Sequence, residues 1–221
     1  MTATGLRLRC PRCLQPDFSC FCSWLKPLDP RIEFVILIHP IEVKRRRIVT
    51  GRLSHLSLVG SKLIMGQTFN GDSRILELLA DPTRHCVMLY PGRQSANLSM
   101  MSEEARRVLI PAGKRLTVFV IDGTWSTAKK TVNQSGDLAK LPRICFTPSK
   151  PSNFRVRQQP RPDCYSTIEA IHEVIDLLGP AAGFEIGTRR HDQLLDIFSQ
   201  MVDRQIELAN SGKPSRRRPL V

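Results

Sequence analysis

The stretch Leu116-Thr117-Val118-Phe119-Val120-Ile121-Asp122-Gly123-Thr124-Trp125 decides the fold of this chain. Leu116 to Ile121 is a short apolar run rich in β-branched residues, the composition of a strand buried on both faces. Asp122-Gly123 closes it, and Thr124 to Val132 has the spacing of a helix. A carboxylate therefore lands at the end of a buried strand, beside a glycine turn and the start of a helix. In plain structural terms Asp122 caps that helix, and Trp125, Ala128 and Val132 form its core stripe. The alternative is that these residues face a ligand.

The same alternation extends in both directions. Arg31 to Ile38 reads as a buried strand stopped by His39-Pro40, and His85 to Tyr90 as another stopped by Pro91-Gly92. Arg143 to Phe146 is a short strand candidate. Leu53, Leu56, Val59 and Leu63 give a helical stripe. Ser73 to Leu79 and Ser102 to Ile110 complete the helices before the central strand. Ser166-Thr167-Ile168-Glu169 is a capping-box sequence opening an amphipathic helix to Leu178, halted by Gly179-Pro180. A long helix spans His191 to Ala209, with Leu194, Leu195, Phe198, Met201 and Val202 on one face. Strands alternating with helices define an α/β domain with a mostly parallel sheet and helices on both faces. Ligands bind such sheets at the carboxyl ends of the strands, which directs attention to the loops after Ile38, Tyr90 and Ile121.

Four of the seven cysteines fall close together, Cys10, Cys13, Cys20 and Cys22, spaced C-x2-C-x6-C-x-C. Two close pairs can supply the four soft ligands of a closed, structural Zn²⁺ site; the alternative is a set of free or redox-active thiols. Pro11, Pro16 and Asp17 suit the turns that would fold one pair onto the other. Cys86, Cys145 and Cys164 lie in or beside apolar stretches and read as buried, inert thiols. The odd cysteine count and the lack of an apolar signal segment point to a reducing, cytoplasmic setting. The organisation expected is a cysteine-rich zinc-binding segment over 1–29, an α/β catalytic domain over 30–210 and a basic disordered tail over 211–221.

Within 221 residues, 33 Lys and Arg stand against 20 Asp and Glu, a formal net charge of +13, with an isoelectric point near 10.0. Such an excess favours a polyanionic partner. Arg45, Arg46 and Arg47, with Arg52 close by, and the pair Arg155 and Arg157, with Arg161, are the candidate phosphate contacts. Aromatic residues make up only 6%, so a folded RNA read by shape and phosphate is favoured over a single strand read by stacking. The longest apolar run, Phe34 to Ile38, is far short of the ~20 residues of a membrane helix. No dinucleotide or NTP phosphate loop, zinc-protease pair or hydrolase elbow occurs.

Taken in order, these elements resemble the DTW-domain family, named for its Asp-x-Thr-Trp element, here Asp122-Gly123-Thr124-Trp125. The resemblance includes the cysteine cluster, His39-Pro40-x-Glu42, Thr50-Gly51-Arg52-Leu53, Leu89-Tyr90-Pro91, Leu141-Pro142-Arg143, Arg155 with Arg157, and Ser166-Thr167-x-Glu169-Ala170. It covers Cys10 to about Leu178. Val49 stands where the family commonly has asparagine, so no ligand role passes to that side chain. The resemblance implies an S-adenosylmethionine-dependent aminocarboxypropyltransferase acting on uridine in tRNA, with a SPOUT-like fold knotted near the C-terminus. It implies cofactor contacts from Leu89, Tyr90, Pro91, Asp122, Gly123, Ser166, Thr167 and Glu169. Asp122, Thr124 and Trp125 are the catalytic candidates, with Asp122 either the general base for uridine N3 or the anchor of the cofactor's ammonium group. A SPOUT-type methyltransferase and a zinc-stabilised RNA-binding module without catalysis are the competing functions.

Overall fold

In a computed structural model, residues 9–40, 50–157 and 164–211 are described. Six strands form one sheet in the order β2-β1-β5-β3-β6-β4: β1 (Glu33–Ile38), β2 (Lys62–Met65), β3 (Arg84–Leu89), β4 (Ala96–Asn97), β5 (Arg115–Asp122) and β6 (Arg143–Cys145). Every pairing is parallel. The helices are α1 (Thr50–Ser57), α2 (Ser73–Ala80), α3 (Glu103–Val108), α4 (Trp125–Asn133), α5 (Gly136–Ala139), α6 (Thr167–Leu178) and α7 (Gln193–Asn210).

Successive strand side chains point to opposite faces, and the core divides accordingly. Phe34, Ile36, Val118 and Val120 join α1, α6 and α7 on one face. Val35, Leu37 and Phe119 join α2, α4 and α5 on the other. Because both faces are covered, the strand cores are apolar throughout rather than alternating, and β1 is buried along its whole length. The α/β architecture with helices on both faces is therefore the one expected.

Three local expectations are corrected. The stripe Leu53, Leu56, Val59, Leu63 does not belong to one helix: α1 ends at Ser57, Gly60 takes a left-handed φ of 73°, and Leu63 lies in β2. A turn of that hand favours glycine, and it redirects the chain into an edge strand too short to show a clear period. The two-residue β4 falls in the gap between two expected elements. Cys164 is buried as read, but Cys86 and Cys145 are only partly covered; burial still raises both thiol pKa values.

The cysteine segment packs directly on the domain. Cys13 and Phe21 are buried in the same cluster as Phe34 and α7. Leu28 donates its N–H to the Ser57 carbonyl and accepts from Val59 N–H, both at 2.9 Å. The Arg204 guanidinium of α7 donates to the Phe18 carbonyl. No helix among the described residues is long and apolar enough to cross a membrane.

Candidate functional site

Asp122 ends β5 with its side chain on the Val118 and Val120 face, where α1 and the start of α6 meet. It is 6% exposed. Its Oδ1 accepts from Thr50 Oγ1 at 3.1 Å, Gly51 N–H at 3.1 Å and Thr167 Oγ1 at 2.5 Å. The approach of α1 is close enough to require a glycine: a Cβ on Gly51 would lie 2.7 Å from Asp122 Cγ and 2.8 Å from its Cβ and Oδ2. One carboxylate thus ties together three segments distant in sequence. The helix-capping role read for Asp122 belongs instead to Thr124, whose hydroxyl accepts from Thr127 N–H at 3.1 Å. Asp122 lies two residues before the cap and faces the other side of the sheet.

Beside this hub, at the carboxyl ends of β5, β3 and β6, lies a cavity of about 360 Å³. That volume is within the ~300–1,000 Å³ range of small-molecule sites. Leu89, Tyr90, Pro91, Gly123, Thr124, Trp125, Ser166 and Thr167 all line it. Asp122 and Glu169 do not; both stand behind the wall. Asp122 reaches the cavity through Thr50 and Thr167, which line it. Glu169 forms the capping box with Ser166 and also holds the preceding loop, accepting from Ser152 Oγ at 2.8 Å and Asn153 N–H at 2.7 Å. The N-terminal ends of α4 and α6 both border the cavity, and such ends favour anionic ligand groups.

Trp125 is not core: it is 43% exposed and forms part of the cavity mouth. Residues that sequence reasoning left out also line the cavity, among them Cys145, Phe146, Thr147 and Tyr165. Phe146 and Tyr165 pack at 5.6 Å between ring centroids. Burial, reinforced by Glu173, raises the Tyr165 phenol pKa. Arg157, read as an RNA contact, lines the cavity and is its only charged lining residue among those described. Arg143 stands over the Tyr90 ring at 5.5 Å, supporting one wall.

Of the other arginines, Arg52 donates to the Arg12 carbonyl at 3.4 Å, linking α1 to the cysteine segment. Arg155 pairs with Asp203 at 2.6 Å. Arg45, Arg46, Arg47 and Arg161, the Val49 position and the basic tail at 212–221 lie outside the described residues.

The four N-terminal cysteine sulfurs lie within 4.8 Å of one another, a set that can hold a metal ion. Cys10 and Cys22 approach to 3.6 Å, as do Cys13 and Cys20, with no disulfide formed. A tetrahedral centre with Zn–S near 2.3 Å separates its sulfurs by about 3.8 Å, so the spacing fits. Backbone N–H groups of Cys13 and Arg12 lower the Cys10 pKa to about 6, whereas burial raises those of Cys13 and Cys22. A second group, His172, His191 and Asp192, also lies within ligand distance. There Arg189 donates to both Asp176 and Asp192, which gives the carboxylates a cation already.

Fold and cavity define an α/β domain with a cavity of small-molecule size at the carboxyl ends of its strands, over an aspartate hub, and with a four-cysteine cluster in its N-terminal segment. The chain belongs to the DTW domain family, whose model matches residues 7–206. It is 29% identical over 180 residues to tRNA-uridine aminocarboxypropyltransferase 2 of Drosophila melanogaster, covering 78% of this chain and 67% of the fly protein. It is 28% identical over 176 residues to the proteins of that name from Mus musculus and Macaca fascicularis, covering 78% of this chain but only 57% of theirs. No solved structure matches the chain.

Proposed function

We propose that this protein is a tRNA-uridine aminocarboxypropyltransferase. It transfers the 3-amino-3-carboxypropyl group of S-adenosylmethionine to N3 of a tRNA uridine. The observation that carries this reading is the convergence of three motif loops, Leu89-Tyr90-Pro91, Gly123-Thr124-Trp125 and Ser166-Thr167, on one cavity of small-molecule size. Family membership and the names of the relatives support it.

In this reading the N3–carbon bond forms as the carbon–sulfur bond breaks. Methylthioadenosine leaves as a neutral thioether and the N3 proton is released. The task of the chain is selection by position: of the carbons on the sulfonium, one must lie in line with N3 at ~3–3.5 Å. The cavity walls supply that alignment. The N-terminal ends of α4 and α6 and the Arg157 guanidinium suit the carboxylate of the donor's amino acid arm. Asp122, with Oδ1 engaged by three donors, acts as a positioning residue that fixes Thr50 and Thr167. Its charge, one hydroxyl behind the wall, favours the donor's cationic end, so the geometry supports the anchoring role over the general base. Trp125 at the mouth is placed to meet the nucleobase.

We further assign zinc to Cys10, Cys13, Cys20 and Cys22 as a structural ion, on the sulfur spacing and on a donor count of four thiols, which is what a closed tetrahedral site needs. The knotted C-terminal path and a cytoplasmic location belong to the same proposal. Arg52 and Arg155, with the basic run at 44–47, remain its candidate RNA contacts, while Arg157, in the cavity lining, passes from that set to the donor. Incubation with S-adenosylmethionine and unmodified tRNA, followed by nucleoside analysis, tests the reaction. Methylthioadenosine and a modified uridine are expected. S-adenosylhomocysteine would indicate methyl transfer instead, and neither product together with no donor binding would leave a non-catalytic module.

A further inference from the structure

The helix that carries Trp125 exposes a face that continues beyond the cavity mouth. In α4, Ala128, Thr131 and Val132 are buried, while Trp125, Ser126, Lys129, Lys130 and Asn133 are exposed. Helical spacing sets Trp125, Lys129 and Asn133 in one row and Ser126 and Lys130 in the next. Trp125 is both a lining residue and 43% exposed, so the row begins at the cavity mouth. Lys129 follows about 6 Å further along the axis. Among the described residues neither lysine has a carboxylate within ion-pairing distance, whereas Arg107, Arg155 and Arg189 are all paired.

Two cations with no carboxylate among the described residues to neutralise them, set one turn behind an aromatic ring at the edge of the cavity, match the chemistry of an RNA strand entering that cavity. Phosphates meet ammonium groups, which act as point charges and read no sequence. A base has a face on which indole can stack. A solvated basic patch of general origin would need no such placement, and the net charge of +13 would allow it anywhere on the surface.

We propose that the exposed face of α4 is an RNA-docking surface, in which Lys129 and Lys130 hold phosphates flanking the target nucleotide and Trp125 stacks on a base at the mouth. The identity of the RNA as substrate rests on the function proposed above; the surface itself is tested by binding, without turnover.

The test is equilibrium binding of unmodified tRNA to the full chain at several salt concentrations. The comparison is between the wild type, the double variant Lys129→Glu/Lys130→Glu, the milder Lys129→Ala/Lys130→Ala, and Lys114→Glu. Lys114 is exposed just before Arg115, at the opposite end of β5, about 25 Å away by strand rise. All four proteins are first matched for secondary structure and thermal midpoint, and the alanine pair preserves the test if the reversal perturbs folding. The double variants should weaken binding about tenfold or more and flatten the dependence of log K on log salt by about 1 to 2, the loss of one or two phosphate contacts. Lys114→Glu should leave that slope unchanged. Unchanged slopes in both double variants, or a loss no larger than that of Lys114→Glu, would overturn the proposal, as would wild-type protein with no salt-dependent affinity for RNA. Salt-dependent binding that falls in the double variants, with no modified uridine from the wild type, would support the surface and overturn the reaction.

Discussion

Removing the Asp122 side chain is the perturbation that most directly probes the hub. Its Oδ1 accepts from Thr50, Gly51 and Thr167. In Asp122→Ala the two threonine hydroxyls can turn toward the cavity they line and find water, so their loss is small. The Gly51 N–H is fixed by the backbone and keeps no such option. One orphaned backbone donor and the loss of charge-assisted bonds together amount to about 3 kcal/mol. For a chain of this size that corresponds to a fall of about 6–12 °C in Tm. Asp122→Asn retains an acceptor oxygen and should lose only about 1 kcal/mol. Gly51→Ala drives a Cβ against Asp122 Cγ, Cβ and Oδ2 and should cost about 1–3 kcal/mol as overpacking. In Asp122→Ala two of those three atoms are gone, so the second substitution should cost less there. Urea unfolding of the two single variants and the double variant should then show coupling of about 1 kcal/mol or more. Additivity within about 0.5 kcal/mol, or an Asp122→Ala variant as stable as the wild type within that margin, would refute the hub argument.

Purified chain should carry about one zinc per molecule. Cys13→Ser, at the most deeply buried of the four sulfurs, should release the metal and lower stability by about 3 kcal/mol or more, read by metal analysis and thermal melting. Glu169→Gln places an amide against donors from Ser152, Asn153 and Ser166. It should cost about 1–3 kcal/mol and weaken donor binding, checked by calorimetry. His191 is fully buried against Asp176, Asp192, Arg189 and His172. Burial lowers its pKa despite the opposing effect of the hydrogen bond that His191 Nε2 makes to the Asp176 carboxylate. With the folded value depressed, the unfolded chain takes the proton first. The contribution is therefore full above a pH of about 6.5 and is lost as pH falls through the folded value. The urea midpoint should drop on acidification, and less steeply in His191→Gln; identical slopes would contradict this assignment.

Much of the frame was legible because each central strand announces itself. Phe34 to Ile38, Val87 to Leu89 and Val118 to Ile121 are apolar on both faces, as the strands of a doubly covered parallel sheet are. Strand alternation also places Asp122 on the Val118 and Val120 face before any contact is known. What faces it there is not local information: Thr50 and Thr167 stand 72 and 45 residues away, and no periodicity records such distances. The capping box at Ser166 was readable from four residues, but the grip of Glu169 on Ser152 and Asn153 was not. Lysines in an amphipathic helix look alike in sequence, and only the placement of Trp125 at the cavity mouth distinguishes Lys129 and Lys130. Edge strands as short as β2 and β4 pair too few residues to leave a pattern. The arginine at 157 read as surface charge because its loop carries no element whose geometry would turn it inward.

The position of β5 has a consequence for how the chain is made. β5 lies between β1 and β3, and its Thr117 sits opposite Glu33, a partner synthesised long before it. Until β5 leaves the ribosome, β1 and β3 have no common neighbour, and the N-terminal half of the chain holds strands that cannot yet become a continuous sheet. Pairings of such long separation form slowly and expose unpaired edges meanwhile. The strand that ends this wait carries Asp122 at its tip. The strand that joins β1 to β3 and the residue that gathers the cavity loops therefore arrive together, with β6 and Thr167 still to follow in the chain.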